Sequence, residues 1–345
     1  GGSCTLLNLR DGYIIAGTNN GKISCWRVSD GSNVWKREFD GPCNSSDTSG
    51  PCIYITESNK VHSIDLADGR VNWTVELEGS VDLISADEAN VWATSSVYNF
   101  EIQDFSEGAI CQIDLNGNRI GTWPTEGRAW SLSNVKGAAY LGLSRPRCGY
   151  CMISDKRIEY FPLGHTSPVT IGDGNDVNGV IFGHSDGGAS QLVNGEVYTF
   201  SARGSSATAI HSSDGWVIGL ENGEIHRIGN LGSWKSKLGG QIEEFSIGPS
   251  LGESNVLWAS SWGDTSEISV LDVASGDVIL KIEHSGRVSH MCGSQKVICF
   301  GDTNGNLLIL EAEVFRRRLQ EFRPSFVEGG MEYEMRKKIR ELRRG

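Results

Sequence analysis

The residues able to do chemistry are few, and their spacing is poor. Cys148-Gly-Tyr-Cys151 is a lone C-x-x-C, and a structural zinc needs a second pair of ligands. Cys43 and Cys52 are the spare candidates, far away in sequence. Asp302-Thr-Asn304-Gly-Asn306, with Glu313 at the twelfth place, has the outline of a calcium loop. Leu307 stands where that loop needs its glycine, and Leu307 to Glu311 read as strand, so a hairpin turn is the better reading. Asp114-Leu-Asn116-Gly-Asn118 is read the same way. The seven histidines are scattered at neither metal nor triad spacing, and no serine sits in a nucleophile elbow. Asn44-Ser-Ser46 and Asn72-Trp-Thr74 are glycosylation sequons by pattern alone. The expectation is a chain with no catalytic residue, no metal and no cofactor.

Composition narrows the class. The 345 residues carry a net charge of −12, unevenly spread. Residues 311–345 hold ten Arg/Lys against seven Glu, and the remainder holds 21 against 36. An acidic body repels phosphate backbones, which argues against nucleic acid as its partner. No apolar run approaches the ~20 residues of a membrane helix. Cys25, Cys111, Cys292 and Cys299 fall in apparent strands, where single thiols act as small apolar groups. Cys43 and Cys52, in CNSSDTSGPC, are spaced to bridge in an oxidising compartment. The cysteine usage leans to free thiols and a cytoplasmic setting, with an extracytoplasmic one if a leader precedes Gly1.

The elements that must position these residues are short strands between tight turns. Asn, Asp and Gly cluster at Asn19-Asn20-Gly21 and again at Asp30-Gly31, with alternating residues between. Such turn pairs recur about every 40 residues, with Asp155-Lys156 serving as one turn without glycine. A strand-only repeat of that length is a propeller signature. The fold expected is all-β, an eight-sector β-propeller of four-stranded blades over residues 1–312, with seven blades as runner-up. The eighth sector shows only three strands, and an outer strand supplied by sequence upstream of Gly1 is expected to complete it. Residues 313–345 then form a helical, basic C-terminal tail: a short helix over 313–323 ended by Pro324, and a second over Met331–Arg344 with Met331, Met335, Ile339 and Leu342 on one stripe.

HSIDLADGRVNWTVEL, residues 62–77, resembles the repeat of the pyrroloquinoline-quinone-like (PQQ-like) propellers: a strand ending in Asp, a turn Gly, then an outer-strand Trp. WRVSDGSNVWKREF at 26–39 and SVLDVASGDVILKIEH at 269–284 resemble it too, and IDLNGNRIGTW at 113–123 is looser. The resemblance implies that Trp35, Trp73, Trp123 and Trp234 cover seams between blades. GTNNGKISCW and GDTNGNLLIL are also similar to two strands of the WD-repeat family, whose Trp-Asp dipeptide is absent. The enzymes among the PQQ-like propellers have adjacent cysteines, and no Cys-Cys pair exists here, so the resemblance carries fold rather than catalysis.

In a propeller all second-to-third strand turns emerge on one face. Three are unusual here. Val97 to Gly108 is a long insertion with Tyr98, Phe100 and Phe105 among acids. Arg145, Arg147 and Tyr150 surround a second turn, and Trp262 stands in a third. Aromatics and arginine gathered on one face are the composition of a binding surface. The function expected is a non-catalytic scaffold that binds a protein or peptide through this loop face, with the tail docking a partner helix or an acidic surface. An extracytoplasmic module for an envelope protein or glycan, and a degenerate quinoprotein enzyme, are the alternatives.

Overall fold

The computed structural model describes residues 2–213, 215–228, 232–250 and 255–322. They form eight antiparallel sheets in chain order, each a meander. Inner strands begin at Cys4, Cys43, Ser80, Ala129, Val169, Ala207, Gln241 and Val288. Each inner strand meets the next around the ring, and the strand Cys4–Arg10 also meets Val288–Ser294, so the circle is closed. The described residues therefore form an eight-bladed β-propeller followed by a helix, α1, at Ala312–Phe322. The second expected helix, Met331–Arg344, lies outside the described residues. Among those residues no helix is long and apolar enough to cross a membrane.

Tight turns make this possible. Gly21, Gly149, Gly187, Gly223 and Gly305 all carry positive φ at second-to-third strand turns, where a Cβ would be strained. Asp155 and Lys156 turn the chain without glycine at φ of 49° and 62°.

The core lies between blades, not within them. Leu6, Ile15, Ile23 and Cys25 of blade one pack on Cys43, Ile53, Ile55, Ile64 and Leu66 of blade two. An equivalent cluster fills each seam. The seam from blade eight to blade one is the thinnest, with Ile14, Val297 and Cys299 as its buried members. Blade eight itself has three strands among the described residues, the last being Leu307–Glu311.

Two repeated devices register one blade on the next. At the rim, outer-strand indoles donate to carbonyls across the seam: Trp35 to Leu66, Trp73 to Leu115, Trp123 to Lys156 and Trp234 to Val273, at 2.8–3.0 Å. At the hub, every inner strand has a bulge near its start. The bulged residue reaches the next inner strand. Thr5 donates to the Cys43 carbonyl, Thr170 to Ala207, Thr208 to Ile242 and Ser289 to Cys4. Asp82 and Glu243, at the same position, instead pair with Arg128 and Arg287 just before the next inner strands.

Candidate protein-docking surface

The expected loop between Val97 and Gly108 is in fact a β-hairpin arm. The strands Asn90–Asn99 and Asp104–Asp114 run on past the blade, pairing Tyr98 with Phe105 and Asn99 with Asp104. Only Phe100 to Gln103 remain as the tip, closed by the Asn99 side chain accepting from the Glu101 N–H at 2.8 Å. A register shift beside Tyr98 twists the arm. The Tyr98 ring meets Phe100 and Phe105 edge-on, each at 5.2 Å. Phe100 is 85% exposed and Ile102 60%.

Blade four meets this arm with residues that the sequence reading passed over. The Arg128 guanidinium lies 4.6 Å from the Phe105 centroid and 4.8 Å from that of Trp130. Its charge is held by Asp82 at 3.0 Å. Burial raises the Asp82 carboxyl above its ordinary range, opposed by a hydrogen bond from Ser96 and the charge of Arg128. Trp130 occupies the bulge of its inner strand, the position that locks blades together elsewhere. Here it is 42% exposed and stands over Arg128 instead. Tyr98, Phe100, Phe105, Arg128 and Trp130 thus form one continuous apolar and cationic surface, joined from two blades.

The other expected residues fare differently. Arg145, in a cis bond to Pro146, is exposed. Arg147 pairs with Glu126 at 3.2 Å and lies over the Tyr160 ring at 4.6 Å, beside the arm's blade. Tyr150 is a correction: it is 6% exposed, with its ring stacked on Phe161 and Phe182, so it belongs to the seam core and is closed to a partner. Trp262 is half-buried in blade seven, paired with Gln241 and Ser266, well round the ring from the arm.

The titratable groups that might have done chemistry are engaged in packing. His184 is fully buried between the Ser167 carbonyl and the Ser190 hydroxyl, at 3.0 and 2.9 Å, and burial lowers its pKa. Asp302 accepts from Asn304, Asn306 and His284, which makes its loop a closed turn. Cys43 and Cys52 are not a pair: Cys43 stands opposite Glu57, while Cys52 stands opposite Ser49, six residues up the strand, or ~20 Å away. Among the described residues no cluster of His, Cys, Asp and Glu has metal-holding geometry.

Blade order, rim tryptophans and turn glycines together define an eight-bladed β-propeller whose first three blades are similar to PQQ-like repeats. Residues 5–128 match the family model described as outer membrane protein assembly factor BamB. No curated protein matches the chain. Among solved structures, the computationally designed Ika8 protein is similar at 14% identity and a TM-score of 0.73, over 90% of this chain and 96% of that one. The U3-55K structure is similar at 12% identity and a TM-score of 0.56, over 88% and 89%. Such identities speak for the fold alone.

Proposed function

We propose that this propeller is a non-catalytic scaffold that binds a protein or peptide partner at the arm of blade three and the adjoining edge of blade four. The observation that carries this reading is Trp130. Six of the eight inner-strand bulges hold a residue that ties one blade to the next. Blade four gives that position to a large, half-exposed ring beside Arg128, which serves contact with something outside the ring. The arm adds Phe100 and Ile102 at its tip, more exposed than folding alone favours. Between Val97 and Gly108 the charged residues are Glu101, Asp104 and Glu107, so the partner segment is apolar with basic flanks.

Alanine at Tyr98, Phe100 and Trp130 together tests this. The expected result is loss of a captured partner with an unchanged melting profile. A partner held as tightly as before sinks the proposal. A second reading, recognition of an envelope protein outside the cytoplasm, is favoured by the description of the matched family.

A further inference from the structure

The inner strands of blades five to eight carry ionisable side chains at the hub. Counted from the bulge, Asp173, His211 and Cys292 hold the same third place in blades five, six and eight. Glu244 and His290 hold the first place in blades seven and eight. The two levels are two residues apart along the strand, or ~7 Å. All of these side chains are half-buried, although their strands are the innermost of the ring. The solvent that reaches them is therefore that of the central channel.

This arc of the channel wall has acids and no cation. The strands Val169–Asn175, Ala207–Ser213, Gln241–Ile247 and Val288–Ser294 contain no Lys or Arg. Arg287, at the mouth, is taken up by Glu243 through hydrogen bonds of 2.8 and 3.0 Å. Glu244 is enclosed by protein, and among the described residues it accepts only from the N–H of its neighbour Phe245, at 3.2 Å. Asp173 likewise accepts only from the Gly174 N–H, at 2.7 Å. In blade two the same place is held by Asp47, which accepts from the Ala86 N–H across the seam and feels the charge of Arg10. The lack of a partner is thus confined to one side of the hub.

The electrostatics carry the mark of that lack. Burial, joined by the charges of Asp173 and Glu243, pushes Glu244 up to about 8, and burial raises Asp173 as well. Blade six stands between them. Its His211 is kept neutral by burial, at about 4, and its Nε2 is buried without a hydrogen-bond partner. A neutral imidazole nitrogen and two carboxylates on one wall are all satisfied by a guest that donates N–H bonds and carries positive charge at two points.

We infer that the channel beside blades five to seven is a binding site for a linear polyamine, with one ammonium group at Glu244 and the next at the level of Asp173 and His211. An ammonium has three donors and no acceptor, so it bonds a carboxylate and a neutral imidazole together. The methylene chain between the ammonium groups spans the two levels. The acidic body draws such a cation in. As the ammonium arrives, Glu244 releases its proton to solvent and pairs as a carboxylate. The site lies inside the ring and does not rest on the docking surface of the arm.

The test uses the full chain and spermidine, followed by isothermal titration calorimetry at pH 7 in two buffers of different ionisation enthalpy. Saturable binding is expected, with nearly one proton released per ligand. Asp173→Asn with Glu244→Gln keeps the shapes and removes the charges, so it should weaken binding at least tenfold and abolish the proton release. Glu159→Gln with Glu283→Gln makes the same charge change on exposed outer strands and should leave binding within twofold of wild type. Equal binding by wild type and the hub variant overturns the inference. So does equal weakening by the two double variants, which would mean diffuse attraction to an acidic surface. Binding without proton release, or no binding at all, overturns it on the wild type alone, whatever the folding of the variants.

Discussion

Trp35 and Gly69 fit into each other across the seam between blades one and two. A Cβ on Gly69 would lie 2.5 Å from Trp35 Cδ2, inside any allowed contact. The turn needs glycine for its φ of 73°, and the indole needs glycine for room.

This relationship predicts an unequal pair of mutants. Gly69→Ala meets both backbone strain and the ring, whereas Gly12→Ala, at φ of 80° with open space around it, meets strain alone. Strain costs about 1–2 kcal/mol, so urea denaturation should show Gly69→Ala losing clearly more than Gly12→Ala. Trp35→Ala removes a ring only 6% exposed and should cost about 3–5 kcal/mol. Equal losses at the two glycines would refute the interlock.

Stability should peak near pH 6.5 as far as three deep groups govern it. Burial pushes His211 and His290 down to about 4, and Glu244 up to about 8. Unfolded histidines take protons near 6.5, so between 4 and 6.5 the unfolded state binds more protons through them and stability rises with pH. Glu244 acts the other way, because the folded state holds its proton from about 4.5 up to about 8. Two histidines outweigh one glutamate below 6.5, and the glutamate acts alone above. Each net proton is worth about 1.4 kcal/mol per pH unit. Glu244→Gln should flatten the alkaline limb in denaturation at pH 6.5 and 8, and a variant that loses stability as steeply as wild type would contradict this.

Phe100→Ala and Trp130→Ala should leave stability within about 0.5 kcal/mol of wild type, because both rings are substantially exposed. Arg128→Ala should differ by destabilising, since it leaves the Asp82 carboxyl, 9% exposed, without its partner. Thermal melts of the three variants separate the contact residues from the one that also holds the blades.

Thiol labelling of the native chain should be sharply selective. Burial raises Cys4 and Cys25 to about 11 and Cys43 and Cys151 to about 12, which suppresses the reactive thiolate. Cys292 is raised as well, by its hydrogen bond with Cys299 and by burial. Cys52 and Cys148 are partly exposed. Brief iodoacetamide treatment followed by peptide mass mapping should modify these two first, and early modification of Cys43 or Cys151 would count against the packing described.

What could be read from the sequence was local. Turn chemistry at Asp30-Gly31 or Asp155-Lys156 sits in adjacent residues, and Trp35 and Trp73 each follow their turn glycine by four residues. The arm was misread as a loop because its paired part past the blade is short, Val97 to Asn99 against Asp104 to Glu107, too brief for a strand pairing to be read from sequence. Tyr150 follows an arginine-rich turn and reads as loop, but Gly149 has already started the strand that buries it. Trp130 was missed for a deeper reason. In Ala-Trp-Ser-Leu-Ser it alternates like any strand residue, and its exposure depends on the bulge against Leu143 and Gly142, a register set by a different strand.

The ring closes at its hub through Ser289 and Cys4, while its rim between blades eight and one has neither an outer strand nor an indole among the described residues. Mechanically the described residues form a split washer. Among the described residues the joints of blades one with two, three with four and six with seven carry both a hub tie and a rim indole, and this one carries the hub tie alone. Local opening belongs to the place with the fewest buried contacts, so thermal breathing should spread the gap there first, with the opposite blades acting as the hinge.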